Sequence, residues 1–475
     1  MKILHKIYLK IPNWMKNLIV SFTLLKQRKI RYGNFYKEFY TSYKDLFNKN
    51  EEVVYNYQLK EVKKLLLECF HYSKYYGEII RDKEISEKEI NEMTRYEQIL
   101  DKLPHLEKNN LKLCNTIIQN SLRKKDYKNF TSGTSGTPNL IFYDKKSLQI
   151  GFALWRRFHD SIGLPSKFSS VRLSGKIMVS PERKTKPFWV HNIFDNQLFM
   201  STYHLKEENM QEFINKLNKF KPEFIDSYPS AIFILSKYIN TNKIKLKFKP
   251  IAIATTAETL YEHYKSEIEK AFCCKVYNQY SSSEGGPFIT ECSEGKLHLN
   301  TDSGIFEFLN SSGNPAIAGE IAELCVTSLR QWKTPLIKYK TGDWVRVVDE
   351  SFSYQKCKCG CSMPIVQEII GRQEDILFTE EKGYIGRLDP AYKGLNGIIK
   401  SKIIQHSMNE IEILNETDKE YNSHYEQKLI ENIRDRVGKN IVITVKCVKE
   451  IPLGAAGKFK AVERKFPLPN TKKQS

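Results

Sequence analysis

No Gly-Lys-Ser or Gly-Lys-Thr occurs anywhere in the 475 residues, so no Walker loop is available to hold a nucleotide. Apolar runs are short as well. The one near the N-terminus, NLIVSFTLL from Asn17 to Leu25, is too short to span a bilayer. A cleavable signal pattern is also missing, so the 10 cysteines are expected as reduced thiols of a cytoplasmic protein rather than as a disulfide framework. Internal repeats and low-complexity tracts are absent, which excludes solenoids and leaves a globular reading. Acidic side chains are fewer than basic ones, 55 against 75, giving a formal net charge of +20. The lysines are nevertheless spread along the chain and form no dedicated nucleic-acid arm, so most read as solvated faces. The strongest case for a surface role is the N-terminus. There Lys2, Lys6, Lys10, Lys16, Lys26, Arg28, Lys29 and Arg31 flank the apolar run, which can lie on an anionic membrane face or pack against the large domain.

What is present begins with FTSGTSGTPNL, Phe130 to Leu140, where Gly133 and Gly136 are set among Thr131, Ser132, Thr134, Ser135 and Thr137. Glycine permits positive φ, so successive amides can turn toward an anion, and the hydroxyls add donors that a polyphosphate can use. The flanks YKNF and LIFY are rich in β-formers, so the loop is placed between two strands. On this stretch alone, a phosphate cradle and a plain hairpin both remain open.

At this length two or more domains are expected, and 41% apolar residues can supply their cores. From about Tyr55 to Arg123 apolar residues recur at helical spacing, which predicts a helical region. A helix is predicted over SLQIGFALWRRFHDSIGL and a strand over VRLSGKIMV. Between Phe213 and Tyr280 strands and helices alternate, which predicts a parallel sheet with TTAET and YSSSE at its carboxyl edge, where ligands bind in open α/β sheets. GIFEFLN, EIAELCVTSL and PLIKYKTGDWVRVV predict a small antiparallel subdomain from Gly304 to Val348. A final α+β unit follows the polar GRQED. The fold class is therefore α/β plus α+β: a large domain over residues 1–373, largely helical over 1–125, and a small mobile domain over 374–475.

Three further stretches carry chemistry. YSSSEGG, Tyr280 to Gly286, offers an aromatic face, the hydroxyl of Ser281 and a carboxylate, Glu284, that can hold Mg²⁺. In YKTGDWV, Asp343 follows Gly342 at an expected turn and can accept from both ribose hydroxyls. In GKFK, Lys458 stands on a glycine-flanked loop from which it can reach a developing negative charge. Each of these residues is also ordinary at a turn.

In this order the motifs resemble the adenylate-forming enzymes of the acyl-CoA synthetase type, with TSGTSGTP as phosphate loop, YSSSE as adenine and magnesium motif, TGD as ribose motif, GRQED as hinge and GKFK as lysine motif. PLIKYKTGD, CKCGCSMP and WVHNIFDNQLFMSTYHL with SYPSA resemble the phenylacetate-CoA ligase branch and its capsule-biosynthesis (CapK-like) members. The resemblance implies that Thr131, Ser132, Gly133, Thr134, Ser135 and Gly136 wrap the phosphates of ATP. Tyr280 would stack on adenine, Glu284 bind Mg²⁺, Asp343 hold the ribose and Arg372 add a contact. Glu374 would serve as hinge and Lys458 as the catalytic lysine of acyl-adenylate formation. Two departures stand out: Thr137 replaces a lysine common in that loop, and ILFTEEKGYIGRLDP lacks the glycine pattern that helps many members admit coenzyme A.

Cys357, Cys359 and Cys361 form a CxCxC run, and Cys292 with His298 form a second pair in ECSEGKLHL. Two close pairs on separate turns can supply tetrahedral zinc, and Cys292, His298, Cys357 and Cys359 are the expected ligands with Cys361 as substitute. Cys273 and Cys274 are expected at a strand start, as packing. The functional expectation is ATP-dependent activation of a carboxylic acid, followed by transfer to coenzyme A or another acceptor. An acyl- or adenylyl-transferase of surface polysaccharide synthesis that works without coenzyme A is the alternative, and a basic binding protein on a degenerate scaffold is the third reading. The acyl pocket is expected between Trp155 and His191 and around TTAET. Partners would be the acid and ATP, with peripheral association at the inner membrane face or with polysaccharide machinery, and no specific nucleic acid.

Overall fold

The structure, a computed structural model, describes residues 2–113, 127–130, 140–372, 376–385, 388–392, 395–452 and 459–466. Two compact units are formed, one from Met1–Thr23, Ser166–Asn278 and Ile370–Ser475, the other from Leu24–Pro165 and Gln279–Ile369.

The helical N-terminal region is observed as Asn34–Leu46, Glu51–Tyr72, Lys74–Asp82, Glu87–Glu92, Glu97–Leu100 and Lys108–Leu113. Local chemistry starts several of them. Asn50 caps Glu51–Tyr72 through the Val53 N–H, and Ser86 with Glu89 closes a capping box that satisfies the Ser86 and Glu89 N–H groups. Leu65, Leu66, Ile80, Ile90 and Leu106 then bury their apolar faces against Val326, Leu336 and Tyr339 within the second unit. Strands β1 (Tyr127–Phe130) and β2 (Leu140–Tyr143) pair antiparallel with Phe130 opposite Leu140. The glycine loop therefore springs from two strands, as expected, although the loop itself lies outside the described residues.

In the first unit, β3 (Ser170–Ser174), β4 (Trp189–Asn192), β5 (Gln197–Ser201), β6 (Phe224–Ser227), β7 (Ala252–Thr255) and β8 (Val276–Ser281) lie in the order β8-β7-β6-β3-β5-β4. All neighbours are parallel except β4, which runs antiparallel along β5 at the edge. Helices Glu207–Phe220, Pro229–Thr241 and Glu262–Phe272 make the crossovers. Their inward stripes fit helical periodicity, with Met210, Phe213, Ile214 and Leu217 buried on the first. Every residue of β7 is buried, as befits a strand covered on both faces. Two expectations need correction. The strand expected over VRLSGKIMV stops at Ser174, and Cys273 begins no strand. Cys273 caps the preceding helix in a left-handed conformation, φ 54°, because the chain must reverse there before β8.

Strand β8 carries the chain into the second unit, where β9 (Phe288–Glu291) and β10 (Leu297–Leu299) extend antiparallel. There β11 (Gly304–Leu309), β12 (Ile321–Ser328) and β13 (Tyr339–Arg346) form the expected antiparallel subdomain. Strands β14 (Ile365–Val366) and β15 (Glu368–Arg372) complete the two sheets, on β10 and β13 respectively. Asp343 is not at a turn, as had been expected. It lies inside β13, where Gly342 takes φ 74° and the register against β12 shifts between Glu323 and Cys325. A bulge at a glycine re-aims the next side chain without ending the strand.

The C-terminal region is α+β as expected. A hairpin of β16 (Leu377–Thr379) and β17 (Gly383–Ile385) precedes β18 (Ile398–Ser407), β19 (Glu410–Thr417), helix Ser423–Val437, β20 (Val442–Val448) and β21 (Val462–Arg464). The sheet order is β20-β19-β18-β21, and Ile403, Ile411, Ile413, Leu429 and Ile433 fill its core.

Candidate active site and cysteine–histidine centre

The Tyr280–Gly286 loop leaves the end of β8 and is immobilised from one neighbouring segment, Ser328 to Thr334. Ser328 Oγ donates to the Gly285 carbonyl at 2.7 Å, and Arg330 Nε donates to the Gly285 and Gly286 carbonyls at 3.1 and 3.3 Å. Gln331 Nε2 donates to the Glu284 carbonyl at 3.3 Å. Gly285 takes φ +83°, and a Cβ at Gly286 would stand 3.0 Å from Val326, so backbone conformation favours the first glycine and close approach the second. The same segment holds the flank of the glycine loop. Thr334 Oγ1 accepts from the Phe142 N–H at 3.0 Å, and Tyr143 hydroxyl donates to the Ser283 carbonyl.

Tyr280 and Asp343 meet directly, the phenol donating to Asp343 Oδ2 at 2.6 Å. Burial, reinforced by the Asp343 carboxylate, pushes the Tyr280 phenol well above its ordinary value, so it stays a neutral donor. Asp343 is steadied from its own backbone, its N–H donating to Thr341 Oγ1 at 3.1 Å while Thr341 Oγ1 donates to the Leu324 carbonyl at 2.7 Å. Glu284 is almost buried, at 8% exposure. Ser281 ends β8, partly exposed. The structure thus brings Tyr280, Ser281, Glu284 and Asp343 together around residues that spacing did not single out, Ser328, Arg330 and Thr334. Arg330 had a signal of a kind, a cation between two β-forming runs. Its burial is what matters, and that lowers the affinity of its guanidinium for its proton, with the Tyr143 and Tyr43 phenols opposing.

Of the remaining expected residues, Thr131 to Gly136, Thr137, Glu374 and Lys458 lie outside the described residues. Arg372 ends β15. The residue after Lys458 is visible. The Phe459 N–H donates to Glu258 Oε1 at 2.7 Å, and Glu258 Oε2 accepts from the Ser230 N–H at 3.0 Å, in the first turn of helix Pro229–Thr241. Ala257, at φ 72°, turns Glu258 out of the line of β7. Within TTAET, the Glu258 carboxylate thus bridges a helix N-terminus and the C-terminal region inside one unit.

Cys292, His298, Cys357 and Cys359 place one ligand atom each so that all lie within 4.8 Å of one another. Two turns bring them together: the β9–β10 hairpin, with Gly295 at φ 75°, and the CxCxC turn, with Gly360 at φ 90°. His298 Nδ1 lies 2.8 Å from the Met363 carbonyl, which assigns the proton to Nδ1 and turns the Nε2 lone pair toward Cys359 Sγ at 3.6 Å. Burial pushes the Cys292 and Cys359 thiols up and the His298 imidazole down. Neutral imidazole and soft sulfur donors in a closed group fit a tetrahedral metal. Cys361 stands outside the group, and its N–H faces Cys359 Sγ at 3.5 Å, a supporting contact rather than a substitute ligand.

The CapK C-terminal domain family matches residues 377–465. Over 483 aligned positions the sequence is 33% identical to Protein CapK of Staphylococcus aureus, covering 99% of this chain and 100% of that protein. The chain belongs to the CapK-like branch of the adenylate-forming superfamily. This CapK-like chain is also 24% identical to phenylacetate-coenzyme A ligase of Thermus thermophilus over 52% of its length and 54% of the relative's. Among solved structures, 2-hydroxyisobutyryl-CoA ligase in the postadenylation state with R3-HIB-AMP superposes with a TM-score of 0.65 at 15% identity, covering 86% of this chain and 88% of that one. The CapK-like fold is therefore that of the AMP-forming ligases. No described helix is long and apolar enough to cross a membrane.

Proposed function

We propose that the chain activates a carboxylic acid with ATP, giving an acyl-adenylate and pyrophosphate, and passes the acyl group to coenzyme A or another acceptor. One observation carries this reading: the flank of the glycine loop, the Tyr280–Gly286 loop and the strand bearing Asp343 belong to one unit, the first two tied to Ser328–Thr334 and the third hydrogen-bonded through Tyr280. Thr131, Ser132, Gly133, Thr134, Ser135 and Gly136 would wrap the phosphates. The Tyr280 ring would stack on adenine beside Ser281, Asp343 would hold the ribose, and Arg372 would add a polar contact. The acid oxygen attacks the α-phosphorus as the bond to pyrophosphate breaks, and Lys458 offsets the negative charge of the two groups as they meet.

Glu284, a hard carboxylate on an immobilised loop, fits Mg²⁺, which would neutralise phosphate charge when bound. Zinc fits Cys292, His298, Cys357 and Cys359 as a structural ion that pins two turns. The small domain, 374–475, would turn at Glu374 against the body, 1–373, between the two half-reactions. Pyrophosphate release with a panel of carboxylic acids tests the reading, and Lys458→Ala should abolish it. An unchanged rate in that variant would refute the assigned mechanism.

The tip of the β16–β17 hairpin supports a second reading, transfer to a sugar or amine without coenzyme A in surface-polysaccharide synthesis. Glu381 there accepts from the Lys439 N–H at 2.7 Å and fills the space where a Cβ at Gly438 would stand. This pinned hairpin lies in ILFTEEKGYIGRLDP, the stretch without the glycine pattern expected where coenzyme A is admitted. Adenylation with no dependence on coenzyme A would favour it.

A further inference from the structure

Helix Asn13–Arg31 is docked by its polar side. Asn17 Oδ1 accepts from the His191 N–H at 2.9 Å and Ser21 Oγ from the Ile193 N–H at 2.9 Å, so the helix satisfies outward amides along β4 and just beyond it, at the edge of the parallel sheet. Val20 and Leu24 bury beside them. The opposite face is apolar and open. Trp14, Leu18, Phe22 and Leu25, one stripe at helical spacing, are 64, 41, 59 and 38% exposed. Ile193 and Phe194 extend the stripe, the Phe22 and Phe194 rings lying 5.3 Å apart edge to face. A helix of a water-soluble domain turns such a stripe inward. Here it faces out, and a contiguous exposed patch of this kind marks an interaction surface.

Charge identifies the partner. Residues 1–37 hold nine lysines and arginines and no aspartate or glutamate, and the first acidic residue is Glu38. Lys10, Lys26 and Lys29 are exposed around the stripe, Lys29 continuing its spacing past Leu25. The partner must accept large apolar side chains and supply negative charge over the same few turns. We propose that this face, formed by Trp14, Leu18, Phe22 and Leu25 with Ile193 and Phe194, docks the protein on an anionic phospholipid membrane. The helix lies in the surface with its apolar side among the acyl chains and its cations at the headgroups. Since no described helix can cross a membrane, the association is peripheral.

Sedimentation of the full chain with vesicles tests the proposal. Vesicles of phosphatidylglycerol should carry the protein down and pure phosphatidylcholine vesicles should not, with binding lost in high salt. Trp14 emission should move to shorter wavelength on binding, a change absent in Trp14→Phe. Phe22→Ser with Leu18→Ser should abolish sedimentation, and Lys26→Gln or Lys29→Gln should each weaken it about fivefold. Because these side chains face solvent, all variants should keep the parent melting temperature. Equal binding to neutral and anionic vesicles, or no binding to either, would overturn the proposal. So would a dimer in light scattering that Phe22→Ser with Leu18→Ser converts to monomer, since the stripe would then cover a second copy.

Discussion

Glu258 accepts the backbone N–H of Phe459 at 2.7 Å, one residue beyond Lys458. The other carboxylate oxygen is held by the Ser230 N–H at a helix N-terminus, where a negative charge is favoured. A second tie joins the same parts of this unit, Lys237 Nζ to the Ile398 carbonyl at 2.7 Å and to Asp418 at 3.3 Å. With Lys458 in its proposed role, this contact at Phe459 would make Glu258 a positioning residue for it. Glu258→Ala should slow pyrophosphate release by about tenfold or more, the loss expected for hydrogen bonds to a charged group. Glu258→Gln, which keeps one acceptor, should fall between. A full rate in the alanine variant would show that the contact does not position the loop.

Tyr280 should act as a donor at every working pH. Tyr280→Phe leaves the Asp343 carboxylate short of a partner at 2.6 Å and should weaken ATP binding by about 1–3 kcal/mol in a calorimetric titration. Since its phenol is pushed up by burial, the pH profile of ATP binding should show no loss from this group through pH 10.

The cysteine–histidine group should hold one zinc per chain by elemental mass spectrometry, and Cys292→Ser should release it. Thiols raised by burial must lose protons on binding, so zinc occupancy should fall as the pH is lowered. Chelation should lower the melting temperature while leaving the nucleotide residues unaltered. Purified protein with only trace zinc would sink this assignment.

His159 gives the second unit an acid-sensitive point. Burial, with the Arg156 guanidinium adding to it, lowers its imidazole to about 4 from an ordinary 6.5. A histidine lowered on folding stabilises fully above its unfolded value, and that contribution is lost as the pH falls from 6.5 toward 4. Melting temperature should drop across that window, and His159→Gln should flatten the drop.

Much of this was legible from the chain. Alternating apolar runs between Phe213 and Tyr280 announced the parallel sheet because both faces of those strands are buried, and the motif order pointed to Tyr280, Glu284 and Asp343. Other features were not legible because they depend on partners far along the chain. Arg330 reaches back 45 residues to Gly285, and Phe459 reaches 201 residues to Glu258. Gly342 read as a turn because a glycine before an aspartate usually is one. Only the neighbouring strand shows that the ladder resumes beyond it, with Glu323 opposite Trp344. Likewise Cys273 read as β because nothing local distinguishes a left-handed helix end from a strand beginning.

The seating of Asn17 and Ser21 on the amides of His191 and Ile193 makes helix Asn13–Arg31 a stopper on an otherwise open ladder. A chain lacking residues 1–31 would leave β4 offering unpaired N–H groups along a solvent-facing margin. Such a truncated protein should associate strand to strand and become turbid on concentration, even with every residue assigned to ATP still in place.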